Sequence, residues 1–348
     1  MTGRDDYQMA VENTISKRIE GKPAYVRSYY LSMQYPSMRT KSEYLKHVVN
    51  YLNYISSELD VDISDPHNFN TNNVAEFLHS IQYKVTTEGR VPTSVAYRKL
   101  VWTCLNNFFS YLVSTHEIES NPLQSIKRPT GHDNVKRVSL NKVGIRNVLE
   151  DISEYDGEFK TRDLAMVILF LQTGIRVTAL SELDIENIRF QVVSSDGQIH
   201  SATDVVGASI IVVDKRNKEF EKVISDTAAR YLYLWLVDRD IMLAKMGIQN
   251  QTAVFINKDG QRISPHGIEK TMTKLMPQVD GKQITPHALR RTYGTMLYQQ
   301  TKDIYYVQRA MGHSSPATTQ MYIIDDGEDK RKAADIMDKI CFGTRIQG

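Results

Sequence analysis

Residues 121–141, NPLQSIKRPTGHDNVKRVSLN, interrupt a long run of helical apolar spacing with two prolines, a glycine and five charged residues. A buried element does not tolerate that composition, because proline removes a backbone donor and fixes φ. The stretch reads as an exposed linker, so the chain must build two cores rather than one. Its length of 348 residues agrees, being more than a single core usually organises. We expect a helical first domain over 1–130, a linker over 131–138, a second domain over 139–326 and a tail over 327–348.

The two sides of the linker differ in period. Residues 8–20 carry helical spacing, and in SEYLKHVVNYLNYISSEL the side chains of Leu45, Val48, Val49, Leu52 and Ile55 share one stripe. A loop rich in Asp, Asn and Pro (60–73) precedes a short helix in NNVAEFLHSIQY. The next helix buries Val95, Leu100, Val101, Leu105, Phe108, Phe109 and Leu112, so the first third is expected to be all-helical. Cys104 lies in that stripe as a core filler. Beyond the linker, Ser139 or Asn141 caps a helix, and TRDLAMVILFLQTG is a buried helix that Gly174 ends. IRFQVVS, ASIIVVD and EKVIS then switch to short β-branched runs, a small antiparallel sheet inserted between helices. The expected fold is mainly α, with that sheet confined to the second domain.

Composition narrows the function. With 41% hydrophobic and 24% charged residues, no apolar run long enough for a bilayer and no apolar stretch at the start, we expect a soluble, cytoplasmic protein. Cys104 and Cys341 are then reduced thiols. A net charge of +2 does not by itself announce a nucleic-acid partner. Basic clusters at 97–100, 125–137, 214–218 and 288–292 fall at junctions and turns, and they nominate Arg98, Lys99, Lys127, Arg128 and Arg291 as contacts to the backbone of double-stranded DNA.

Four separated pieces of the second domain carry residues that phosphodiester chemistry uses. Arg176 follows LQTG; His287 and Arg290 open TPHALRRTYG; MGHSSPATTQMY supplies His313 and Tyr322; Lys215 lies in a turn between two strands. Cleaving a phosphodiester without a metal needs fixed donors on the non-bridging oxygens, and a guanidinium offers a planar fork where lysine offers a point charge. Arg176 and Arg290 fit that role. A tyrosine phenolate can displace a sugar hydroxyl and hold the strand reversibly, which suits Tyr322 once cations help it lose a proton. Lys215, or Lys218 in its place, can protonate the leaving 5′-oxygen. His287 assists proton transfer or orients the phosphate, and His313 hydrogen-bonds a non-bridging oxygen or the nucleophile. Against these stand plainer readings: His313 closes a turn after Gly312, and Tyr322 is one of 19 tyrosines. A zinc site at His266, His287 and His313 lacks the acidic partners that would close it, so no metal is expected.

Taken in order, TGIR, the lysine turn, TPHALRRT and MGHSSPATTQMY resemble the signature of the tyrosine recombinase (phage integrase) family, and the first domain resembles its helical core-binding domain. The resemblance implies a site-specific recombinase that clamps a duplex between two domains, forms a 3′-phosphotyrosine and a free 5′-hydroxyl, and needs neither ATP nor cofactor. It further implies four protomers on two sites, exchanging strands through a Holliday junction; nothing specifies an accessory factor. Base contacts are expected from helices around 93–112 and 262–275. The sequence departs from the family where Ala179 replaces an acidic residue, with Glu182 a turn further on. Arg291 replaces a histidine, and 187–214 is longer than a compact hairpin. Two rivals are a type IB topoisomerase-like enzyme and an inactive DNA-binding regulator, the latter expected to have lost the tyrosine or an arginine. In the tail, Ala333, Ile336, Met337, Ile340 and Cys341 fall on one helical face, expected to dock on a neighbouring protomer or else on its own domain.

Overall fold

In a computed structural model the described residues are 3–312 apart from 36, 88, 132, 134–137 and 215–217. The chain divides into two compact units, Gly3–Lys136 and Arg137–Gly348. Among the described residues no helix is long and apolar enough to cross a membrane.

The first unit contains α1 (Gly3–Ile19), α2 (Ala24–Ser32), α3 (Met38–Glu58), α4 (Thr71–Ser80), β1 (Tyr83–Thr86), β2 (Gly89–Pro92) and α5 (Val95–Ser114). Its core is the meeting of the expected stripes: Leu45, Val48, Leu52 and Ile55 of α3 and Val101, Leu105, Phe108, Phe109 and Leu112 of α5 are wholly buried. Cys104 is buried with them. Tyr51 packs edge-on against Phe77 and Phe109, both at 5.5 Å, and its hydroxyl donates to Asn73 Oδ1 at 3.1 Å. That bond reaches the capping box of α4, where Asn70 accepts from the backbone of Asn72 and Asn73.

The expectation of an all-helical first third fails at one place. Residues 83–92 form an antiparallel hairpin, with Tyr83 opposite Pro92 and Thr86 opposite Gly89. None of its described residues is buried and Val85 is 86% exposed, so the strands leave no apolar alternation to read. Val95 and Leu100 are only half-buried because the first turns of α5 meet a polar strap instead of the core. There the Asp133 carboxylate accepts from the backbone N–H of Val95 at 2.7 Å and of Ala96 at 2.9 Å, Lys99 donates to the Gly131 carbonyl, and Trp102 donates to that of Ile126. An acidic group is well placed at a helix N-terminus, and those N–H groups hold the Asp133 carboxyl below its usual range.

The second unit carries α6 (Lys142–Glu154), α7 (Lys160–Thr173), α8 (Val177–Ser181), β3 (Ile188–Val192), β4 (Val205–Asp214), β5 (Lys218–Ile224), α9 (Asp226–Met246), α10 (Pro265–Leu275), β6 (Gln278–Val279), β7 (Lys282–Gln283), α11 (Pro286–Thr301) and α12 (Ile304–Met311). Asn141 is the cap of α6, accepting from Gly144 N–H at 2.7 Å. β3, β4 and β5 form the antiparallel sheet, and a register shift between Gln191 and Val192 opens the longer loop before β4. The pair β6 and β7 adds a minimal second ladder.

Trp235 stacks parallel to Phe255 and donates to the Val254 carbonyl at 2.8 Å. Two buried arginines hold the same stretch from either side: Arg162 donates to the Ile256 carbonyl at 2.9 Å and Arg239 to that of Ala253 at 2.7 Å. Each also pairs with the carboxylate next to it in sequence, Asp163 and Asp240, as a buried charge requires.

Candidate active site

α7 ends because Gly174 takes the left-handed conformation at φ 58°, its N–H closing on the Phe170 carbonyl at 3.0 Å. Thr173 stiffens this turn by donating to the Leu169 carbonyl and accepting from Ile175 N–H. Arg176 then caps α8 with extended backbone and a half-buried side chain. The helix it starts is short, and neighbours fix it. Ser181 donates to the Ile263 carbonyl at 2.6 Å, while Arg262 donates to the carbonyls of Ser181 and Leu183 and pairs with Asp184 at 2.5 Å.

α11 opens on Thr285, whose hydroxyl accepts from Ala288 N–H, with Pro286 in the first turn. His287 is exposed on that turn. Arg290, three residues on and so on the same side of the helix, is only 4% exposed. Its guanidinium donates to the carbonyl of Gly174 and, at 2.9 Å, to the carbonyl of Met311. One side chain thus joins the turn that leads into Arg176 to the end of α12. Tyr293 lies against Gly174, where an added methyl would approach the ring to 2.5 Å. Burial raises the Tyr293 pKa and Tyr306 adds to the rise, with Arg290 opposing both.

α12 ends at Gly312, φ 67°, whose N–H closes on the Arg309 carbonyl at 3.0 Å. β5 reaches the same place: Lys222 donates to the Ala310 carbonyl, and a methyl added at Gly312 would meet the Phe220 ring at 3.7 Å. Arg176, His287 and Arg290 thus stand on elements that the Arg290 guanidinium ties together, and β5 packs on the end of α12 beside it. Lys215, His313 and Tyr322 lie outside the described residues, as do the side chain of Lys218 and the tail in which a helix is expected.

The expected DNA contacts are distributed over both units. In the first, Arg98 and Lys99 are half-buried and Lys127 and Arg128 exposed. Lys99 and Arg128 donate within the unit, to Gly131 and to Thr103 Oγ1. In the second, Arg291 donates to the Val138 carbonyl at 3.3 Å. Ala179 packs on the hydrophobic core, and Glu182 is the C-cap of α8.

Sequence reading missed Lys222, Arg262, Asp184 and Tyr293. Each acts on a neighbour's backbone or packing, which leaves no mark in local spacing. The alternation of β5 is the one available signal, since it places Lys222 where an inward residue is expected.

A family model described as the phage integrase family matches residues 145–328. Tyrosine recombinase XerC of Haemophilus ducreyi is 30% identical over 237 residues, covering 68% of this chain and 69% of that protein. Tyrosine recombinase XerC of Salmonella typhi is 27% identical over 250 residues, 71% of this chain and 74% of the relative. Among solved structures, the XerH site-specific recombinase bound to a palindromic difH substrate, a post-cleavage complex, aligns with a TM-score of 0.61 at 21% identity over 87% of this chain and 81% of that one. A lambda integrase(75–356) dimer bound to a COC′ core site aligns at 0.56 and 14% identity, over 87% and 95% of the two chains. The two structures establish likeness of fold.

Proposed function

This chain belongs to the phage integrase family of tyrosine recombinases and is a site-specific DNA recombinase, and we propose that it cuts and rejoins duplex DNA through a 3′-phosphotyrosine formed by Tyr322. The observation that carries the residue assignment is the buried Arg290 guanidinium, which ties the Arg176 turn to the end of α12. Two guanidiniums entering one site from different helices suit a phosphate whose negative charge grows as the nucleophile attacks.

In this reading Tyr322, having lost its hydroxyl proton, bonds to phosphorus through its phenolate oxygen as the bond from phosphorus to O5′ breaks. Arg176 and Arg290 neutralise the non-bridging oxygens, and Lys215 gives its ammonium proton to the departing O5′. His287, exposed at the start of α11, assists proton transfer or orients the phosphate, and His313 hydrogen-bonds a non-bridging oxygen or the nucleophile. The reverse reaction, with a partner strand's 5′-hydroxyl as nucleophile, reseals the DNA. The phosphotyrosine conserves the energy of the broken bond, so the cycle is isoenergetic without ATP.

Each domain brings its own contacts to the DNA backbone, Arg98, Lys99, Lys127 and Arg128 in the first and Arg291 in the second, with the first domain (1–130) binding and the second (139–326) carrying the chemistry. Four protomers on two sites exchange strands in pairs through a Holliday junction, and the tail from 327 docks on a neighbouring protomer. Support for the assembly comes from the relatives: one aligned structure is a lambda integrase tetramer bound to a Holliday junction. The test is to trap the protein on genomic DNA and sequence what stays covalently attached. One recurrent site, joined through its 3′-phosphate, supports the proposal; heterogeneous sequence points to topoisomerase-like relaxation, and no attached DNA to a regulator.

A further inference from the structure

β5 alternates cleanly. Glu219, Glu221 and Val223 are exposed, while Phe220 and Lys222 are half-buried and Ile224 buried. A two-residue period places Phe220, Lys222 and Ile224 on one face, so an ammonium occupies a position where an apolar side chain is ordinary and loses hydration there. Its partner explains the choice. Lys222 donates to the Ala310 carbonyl, and Phe220 covers Gly312 two residues later. The carbonyls of Ala310 and Met311, the last two of α12, are held by cations from two other elements, Lys222 of β5 and Arg290 of α11. Final carbonyls of a helix lack partners within it and bear its partial negative charge, which suits both groups.

We propose that Lys222 is a positioning residue for strand cleavage. It locks the second strand of the β4–β5 hairpin to the end of α12, so that the proton donor carried by the hairpin is brought to the leaving oxygen of the phosphate bound there. The inference rests on the reading of Lys215 as general acid. The role assigned to Lys222 is exerted through the backbone of Ala310 and the course of β5.

Single-turnover cleavage by the full chain, on a nicked suicide duplex with either oxygen or sulfur at the bridging 5′ position, separates the possibilities. A sulfur leaving group departs without a proton, so a defect in proton delivery disappears on it. Lys222→Met is expected to slow cleavage of the oxygen substrate about tenfold to a hundredfold and to match the unmutated protein on the sulfur substrate, with duplex affinity unchanged. Lys222→Arg, which keeps a cation within reach of Ala310, is expected to recover most of the oxygen rate. An equal loss on both substrates, or no loss on oxygen, overturns the inference. Lys215→Ala is measured in parallel: if sulfur rescues it but not Lys222→Met, the coupling alone fails. If sulfur rescues neither, the general-acid reading fails first. Thermal unfolding checks that Lys222→Met is folded, and Lys222→Gln, which retains an amide donor, carries the same comparison if it is not.

Discussion

Arg290 donates to the carbonyl of Met311 at 2.9 Å from a position only 4% exposed, with a second bond to Gly174 from the same guanidinium. Lysine cannot reproduce a two-pronged donor of this kind. Arg290→Lys and Arg290→Ala should each lose stability, the alanine variant by about 3 kcal/mol as two buried carbonyls lose their donors. Cleavage should fall at least about a hundredfold. Denaturant unfolding and single-turnover cleavage check this; unchanged stability in both variants would show that the two turns are held by something else.

Gly174 is the second hinge of the frame. At φ 58°, and with a Cβ that would lie 2.5 Å from the Tyr293 ring, it has no room for a side chain. Gly174→Ala should cost about 1–3 kcal/mol. It should also slow cleavage by moving the Ile175–Arg176 turn, while duplex binding stays near that of the unmutated protein. A stable, fully active variant contradicts the placement of that turn.

In the first unit His47 is 1% exposed, its Nε2 lies 3.4 Å from Glu43 and its ring sits edge-on to Tyr97. Burial lowers its pKa from the ordinary 6.5, Glu43 pulls the other way, and Lys46 and Arg18 add to the lowering. The unfolded chain therefore takes up this proton at a higher pH than the folded one. Stability from His47 is complete above about pH 6.5 and declines as pH falls through that value. Melting temperatures between about pH 7 and pH 5 should drop, and His47→Gln should flatten the drop. A slope that persists in the variant assigns the effect to other groups.

The tail gives a prediction at the level of assembly. Truncation after Gly327 should leave binding of one protomer to a half-site nearly intact while weakening cooperative occupation of a full site and cleavage there. Gel-shift titrations on half and full sites distinguish this from a tail that packs on its own domain, for which cooperativity would be undiminished.

Much of this molecule was legible because its constraints are local. The stripes of α3 and α5, the Asn141 cap and the stop at Gly174 follow from spacing and from backbone preferences of single residues. Arg176, His287 and Arg290 were nominated by the residue types that phosphate chemistry needs. What stayed hidden depends on partners far along the chain. Asp133 caps a helix that begins 38 residues earlier, and Lys222 meets a carbonyl 88 residues later. Nothing local marks Arg162 and Arg239 for burial; the carbonyls of Ile256 and Ala253, which hold them, come from another part of the chain. The hairpin at 83–92 escaped notice for the opposite reason: its strands bury no residue, so they impose no pattern on the sequence.

Trapping on a nicked suicide duplex reads out whether Tyr322 becomes covalently joined to DNA. The unmutated protein should yield a stable adduct whose DNA-linked peptide contains Tyr322. Tyr322→Phe should bind the same duplex with equal affinity and yield none. An adduct of normal yield from Tyr322→Phe, or a linked peptide that contains Tyr305 or Tyr306 instead, would contradict the account.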